Sequence, residues 1–417
     1  MWFGNASIDQ RHNYIVNLLD GAFFGFGIGF ASFVTVLPLF FSTLTSSNLL
    51  IGLIPAVHNT GVMLPQLFTA KNLKKLNRFL PPTMFSTIHE RLPFLGLALI
   101  AALVPVIGKE AALVLGFGCL IWQGLGAGFT GNPWQNMLGR VIPTDFLATF
   151  FGLQAAAANL LGSLGAVAAG LILQALNSPV NFIVNFLICF ALLMVSYYFI
   201  GLTREEERQI DVDSAVHISL GKSIQQILKK DRPFLWFLIT RNLYQFGTMA
   251  FAFYSIYAVK HHGFSVVTAG IMTSVLLISQ TIANPLLGWL ADHWSRRQVF
   301  TCGALAASIS ALLAWQVSDP NLYFLVFVLM SIGNTAFWTI GMAYTLDFGT
   351  EQERPTYVGM ANTLIAPSAV LAPLAAGWIA DAFGYSATFI TAAVCGVLTV
   401  IVLQVFVKEH RVLPEAA

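Results

Sequence analysis

Charge is scarce in this chain: Asp, Glu, Lys and Arg together make up 10% of its 417 residues. Soluble domains carry nearer a quarter. With 57% hydrophobic residues and a mean hydropathy of +0.74, the balance excludes water as the main solvent. Cysteine is scarce too. Cys119, Cys189, Cys302 and Cys395 each sit inside an apolar run, with neither metal-ligand nor disulfide-framework spacing. Walker-type and glycine-rich nucleotide signatures are missing. Gly124, Gly126, Gly128 and Gly131 crowd an apolar run with no strand before them, a spacing for close helix approach rather than phosphate. No nucleophile, base and orienting residue fall into a catalytic arrangement. No metal, no cofactor, no enzymatic activity and no ATP drive are therefore expected. A net charge of +2 makes no case for nucleic acid. The period-two alternation of a membrane barrel is also lacking.

What is present is a succession of apolar runs of roughly 20 residues or more, each long enough to cross a bilayer as a helix. They fall near 14–41, 48–70, 80–107, 111–138, 149–175 and 179–202, then near 233–259, 264–288, 298–317, 320–346, 355–381 and 384–407. The sequence thus predicts an all-α membrane protein of twelve transmembrane helices. They divide into an N-terminal six-helix bundle (1–202), a cytoplasmic linker (203–232) and a C-terminal six-helix bundle (233–417). Within the linker, SIQQILKK reads as a solvated tether, with a short interfacial helix as the competing reading. The N-terminus, MWFGNASIDQRHN, has no cleavable signal pattern, so the first span is expected to serve as its own membrane address.

Basic residues set the orientation. Seventeen of the 21 Lys and Arg lie at the termini or after even-numbered spans, only Lys109 and Lys260 lie on the other side, and Arg91 and Arg241 lie within spans. The positive-inside rule then puts both termini in the cytoplasm of a multi-pass plasma (inner) membrane protein, expected to be a monomer. The halves also resemble each other. FFGLQAAAANLLGSLGAVAAGLI aligns with YVGMANTLIAPSAVLAPLAAGWI, and Pro65 in MLPQLF stands opposite Pro285 in ANPLLG. Such a parallel repeat, with pseudo-two-fold symmetry, suggests a transporter with its site between the halves near mid-membrane.

One polar stretch interrupts the second half: GWLADHWSRR, residues 288–297. Gly288, Leu290, Ala291, Asp292, Ser295, Arg296 and Arg297 resemble the cytoplasmic G-x-L-a-D-r-x-G-r-[kr] signature of the major facilitator superfamily. The motif falls in the expected loop between spans 8 and 9. With the span count, linker and repeat, the resemblance covers essentially the whole chain. It implies a gate latch that forms when the cytoplasmic side is shut and breaks when it opens. In that reading Gly288 and Ser295 let two helices end close together at a tight turn. Asp292 faces the positive N-terminal end of a neighbouring helix, most simply span 11 after Arg354, and Arg296 and Arg297 hold anionic lipid or nearby acids. The competing reading is a plain topogenic turn. The first-half loop, TAKNLKKLNRFL, departs from the pattern: it keeps basic residues but has Asn72 where an acid would stand. The loop after span 4, RVIPTDFLATFFG, lacks the Arg-Gly pair often seen there. Asp347 and Arg140 sit at matching places in the two halves and read as further gate contacts.

Ionisable groups within spans are costly and mark functional candidates. These are Asp20 in span 1, Arg241 in span 7, and Glu90 and Arg91, which lie in span 3 or on a cytoplasmic extension of it, where a structural role is the competing reading. Asp20 and Arg241 fall at nearly equivalent repeat positions, so the expectation is that they face each other across the half-to-half interface. Asp20 would bind a proton or a cationic group, and Arg241 an anionic group or Asp20 itself. A purely structural pair is the alternative. Trp122, Gln123, Asn132 and Trp134 in span 4, Tyr244 and Gln245 in span 7, and Asn334 and Trp338 in span 10 suggest a cavity lining. His58 in span 2 could titrate near neutral pH, or simply pack. The function expected is secondary active transport of a small organic solute by alternating access, with the proton as candidate coupling ion and efflux as a candidate direction. A uniporter, a lipid-moving member of the same fold and a non-transporting membrane sensor or assembly partner are the alternatives.

Overall fold

The computed structural model describes residues 7–33, 36–45, 48–73, 76–207, 220–264 and 266–407. It is built of α-helices: α1 (Ile8–Phe30), α2 (Val36–Leu44), α3 (Asn48–Met63), α4 (Gln66–Leu73), α5 (Leu80–Val141), α6 (Leu147–Ala175), α7 (Val180–Gly201), α8 (Leu220–Lys230), α9 (Arg232–Gly247), α10 (Tyr254–His261), α11 (Val266–His293), α12 (Arg296–Gln316), α13 (Pro320–Thr335), α14 (Gly341–Thr345), α15 (Arg354–Thr363), α16 (Ala366–Phe383) and α17 (Tyr385–Phe406). The twelve expected spans map onto these helices. The 62 residues of α5 would reach about 93 Å if straight, roughly three bilayer cores, so α5 has to be two spans. It is broken at Gly108, whose φ of 79° is left-handed backbone that a side chain would strain. That break falls between the expected spans 80–107 and 111–138.

The first apolar run, 14–41, is covered by two helices. α1 starts at Ile8, where Ser7 and Gln10 form a reciprocal capping box, and it ends at Phe30 before α2 begins. SIQQILKK lies in α8, a helix with Ile227 buried and Lys229 and Lys230 in its last turn, so the tether reading is corrected for residues 220–230. The preceding linker residues 208–219, and Lys74 and Lys75 of the first-half loop, lie outside the described residues.

The chain divides into two compact units. The first comprises 1–143, 157–215 and 358–363; the second comprises 144–156, 216–357 and 364–417. The first turns of α6 and α15 therefore belong with the second unit, and the remainder of each with the first. Each unit has its own aromatic core. In the first, Phe40 meets Phe41 and Phe186 edge to face, with Phe94 and Phe182 alongside. In the second, Tyr254, Tyr257, Tyr323 and Phe389 interlock. Large apolar side chains also point outward at helical spacing: Ile390, Val394, Val397, Ile401 and Val405 on α17, and Leu305, Ile309 and Leu312 on α12. Stripes of this kind suit lipid as the outer solvent.

Candidate functional site

In the first unit, three charged groups meet inside the helix bundle. Arg91, in α5, is 2% exposed, and its NH2 group lies 3.5 Å from Oδ1 of Asp20 in α1. Its NH1 group lies 3.7 Å from the neighbouring Glu90 carboxylate. The guanidinium also donates to the Leu193 carbonyl at 2.9 Å, to the Thr87 carbonyl and hydroxyl, and to Ser196 Oγ at 2.8 Å. Ser196 relays this contact by donating to Asp20 at 2.6 Å, and the Trp134 indole N–H bonds the same carboxylate. The α-helical period explains part of the cluster: Thr87 and Arg91 are four residues apart and share a face. Phe24 and Tyr197 lie against the Arg91 guanidinium. Two carboxylates and one guanidinium thus share an enclosed site. Asp20 is well supplied with donors, whereas among the described residues Glu90 meets Arg91 and a long 3.4 Å contact from Thr87 Oγ1.

This geometry corrects the expected pairing. Asp20 finds its ion-pair partner in Arg91 of its own unit, and Arg241 belongs to the second unit. Arg241 is buried at 2% exposure among Phe237, Phe300, Phe337 and Gly341. The other candidates scatter. Gln123 is buried and bonded to His58 Nδ1 at 2.7 Å, and His58 stacks on Phe33. Asn132 donates to the Gln66 carbonyl and Tyr244 to the Gly333 carbonyl, so both tie helices together. Trp122 and Trp338 are 40% and 46% exposed, and the Trp122 indole reaches His89 at 3.3 Å. Gln245 and Asn334 are half-buried.

The GWLADHWSRR segment lies wholly in the second unit and takes a different shape from the expected tight turn. α11 continues to His293, so Gly288, Leu290 and Asp292 are helical and only Trp294 and Ser295 turn the chain. Ser295 caps α12 by accepting the Gln298 N–H. Gly288 serves a helix crossing, because a Cβ there would strike the Ala148 carbonyl at the start of α6. Asp292 does meet a helix N-terminus, but that of α6 and not span 11. Its oxygens accept the Ala148 N–H at 3.2 Å and the Thr149 N–H at 2.6 Å. Arg296 bonds Asp292 at 3.0 Å, the Thr144 carbonyl at 2.6 Å, and Asp347. Arg354 adds a favourable field at Asp347. Burial raises the Asp347 carboxyl to about 6, against the pull of Arg296 and Arg354. Arg297 reaches the Gln404 carbonyl and side chain instead of an acid.

The first unit has a comparable carboxylate that sequence reading missed. Glu205, just after α7, is fully enclosed and accepts the Phe79 and Leu80 N–H groups at the start of α5, at 2.7–2.8 Å. Arg140 completes the contact at 3.1 Å and lies over the Phe79 ring. The acid run REEER was the available signal. Also in the first unit, Asn362 at the end of α15 donates to Gln66 and Gln135, and Thr363 to the Met63 carbonyl. Thr87 and Ser196 were missed as well, since single hydroxyls in apolar runs carry no motif.

The sequence model of the Major Facilitator Superfamily matches residues 84–265 and 242–416. Among curated relatives, Multidrug resistance protein 2 of Bacillus subtilis is 24% identical over 148 residues, covering 36% of this chain and 37% of that protein. Multi-drug resistance efflux pump PmrA of Streptococcus pneumoniae is 26% identical over 34% of this chain and 35% of its own length. The chain thus matches little more than a third of these relatives' length. Among solved structures, the transporter FucP in the outward conformation superposes with a TM-score of 0.73 at 17% identity, covering 94% of this chain and 99% of that one. A bacterial homologue of the iron transporter ferroportin, in an outward-facing state, gives 0.74 at 12% identity over 95% and 99%. At these identities the likeness is one of fold.

Proposed function

Because this chain belongs to the Major Facilitator Superfamily, we propose that it is a proton-coupled secondary active transporter. It carries a small organic solute across the plasma (inner) membrane by alternating access, as a monomer with both termini cytoplasmic. The observation that carries the coupling is the enclosed Asp20–Glu90–Arg91 cluster. With both carboxylates ionised it holds one uncompensated negative charge in a low-dielectric setting, so one proton neutralises it. Ser196, Trp134 and Arg91 all stabilise ionised Asp20, and the proton therefore resides on Glu90 while Asp20 serves as the fixed counter-ion. The relatives named for multidrug resistance favour an amphiphilic organic solute and outward movement. In the first unit, Gln123, Asn132 and Trp134 are its candidate contacts.

Asp292 and Arg296 form the cytoplasmic latch in this reading. Asp292 holds the start of α6 by accepting two backbone N–H groups, Arg296 braces it by donating to Asp292 and to the Thr144 carbonyl, and both let go when the gate opens. The function is tested in proteoliposomes loaded with the purified chain, using a panel of fluorescent amphiphilic dyes under an imposed pH gradient. Gradient-driven dye movement that collapses with a protonophore is expected. In Glu90→Gln, dye counterflow should persist while the response to the gradient is lost. Gradient-independent flux in the native protein would instead identify a uniporter.

A further inference from the structure

We propose that Arg241 anchors a binding site for a monovalent anion inside the second unit. The two arginines buried within spans differ in one respect. Arg91 has a hydrogen-bond acceptor or a carboxylate for each of its nitrogens. Arg241 is as deeply buried, yet its Nε and NH1 groups have no partner, and it forms no ion pair among the described residues. Its guanidinium carbon lies 5.2 Å from the Phe337 ring centroid and 6.0 Å from that of Phe237. Aromatic rings attract a cation electrostatically, but they leave N–H donors without acceptors. A permanently charged guanidinium in such a place needs a compact negative group that accepts from those donors.

The local backbone is shaped for this. A π-helical turn, Ala336–Ile340, interrupts the span between α13 and α14, and such turns concentrate at functional sites. It presents Phe337 to Arg241, and Tyr244 stacks on the same ring. Gly341 directly follows the turn. A Cβ there would stand 3.6 Å from Arg241 Nε and 3.1 Å from Phe300, so glycine keeps free the space beside the unpartnered donor. A halide or the carboxylate of an organic solute shares the required chemistry: one negative charge and lone pairs that accept two N–H groups. The second source rests on the transporter reading above; the anion site itself does not.

The test is thermal unfolding of the purified full-length protein at constant ionic strength, with HEPES as the background anion. Sodium chloride and sodium benzoate are titrated separately. The native protein should show a saturable rise in melting temperature of at least about 3 °C with one or both, as expected for a ligand that binds the folded state alone. Tighter half-saturation by benzoate assigns the site to an organic carboxylate, and tighter half-saturation by chloride to a halide. Arg241→Met, which removes the unpaired charge, should lose the response and melt higher than the native protein without added anion. Gly341→Ala keeps the arginine and should weaken half-saturation at least tenfold. No shift with either anion, an unchanged shift in Arg241→Met, or an unaltered half-saturation in Gly341→Ala would overturn the site. Because binding is read without transport, this failure would leave proton coupling standing, and loss of gradient-driven flux would leave anion binding standing.

Discussion

Asp292→Asn is the perturbation that isolates the latch. The native carboxylate accepts two N–H groups from the start of α6, at 2.6 and 3.2 Å, and pairs with Arg296 at 3.0 Å. Asparagine keeps one oxygen, enough for one of the N–H groups, and loses the charge facing both the helix N-terminus and Arg296. A hydrogen bond to a charged group contributes about 1.5–3 kcal/mol, and a partly buried charge at a helix end up to about 2 kcal/mol. Allowing for overlap between these effects, the closed arrangement should weaken by about 3 kcal/mol, roughly a hundredfold in the open-to-closed ratio. The readout is thiol alkylation of Leu147→Cys, with the four native cysteines replaced by serine. Leu147 is 1% exposed beside the latch, so labelling requires opening. Asp292→Asn should accelerate labelling by about two orders of magnitude. A rate within threefold of the parent would refute the assignment of Asp292 as the residue that holds α6.

Two further outcomes follow from buried charge. Arg91→Met leaves Asp20 and Glu90 enclosed without their cation and should destabilise the protein by about 3–5 kcal/mol in chemical unfolding. Adding Asp20→Asn should recover part of that loss, and no recovery would mean that the charges are not coupled. Asp347 titrates near 6 in the folded chain, above the 3.8 of a free aspartate. A carboxyl with a raised folded value favours folding most when protonated, so its contribution is present below about pH 4 and lost as pH rises through 6. The stability of the native protein relative to Asp347→Asn should therefore fall by up to about 3 kcal/mol across that window, and a flat difference would contradict the burial.

Much of this was legible in the residues themselves. Apolar run length gave the spans, including the gap between 107 and 111 where α5 breaks, although nothing in the runs singled out Gly108 as the residue that breaks it. Single charges in spans pointed to Asp20, Glu90 and Arg91. Depth along a helix can be read from sequence, whereas the neighbour that a side chain faces depends on helix rotation and packing. That is why Asp20 was matched to Arg241 by repeat position while its partner is Arg91, and why Asp292 was aimed at span 11 while it holds α6. Gly288 shows the same limit. A glycine beside polar residues suggests a turn, but here it lets α11 press against the Ala148 carbonyl. Glu205 was hidden for another reason: in a run of charges, nothing in composition distinguishes the one carboxylate that folds inward to cap α5.

Proton movement driven by solute provides the decisive measurement. Proteoliposomes enclosing a pH-sensitive dye, with no imposed gradient, are given a solute that shows counterflow. Coupled transport through Glu90 predicts a change in lumenal pH that follows solute movement, vanishes in Glu90→Gln and persists in Asp347→Asn. Solute movement with no pH change in the native protein, or an unchanged proton signal in Glu90→Gln, would contradict it.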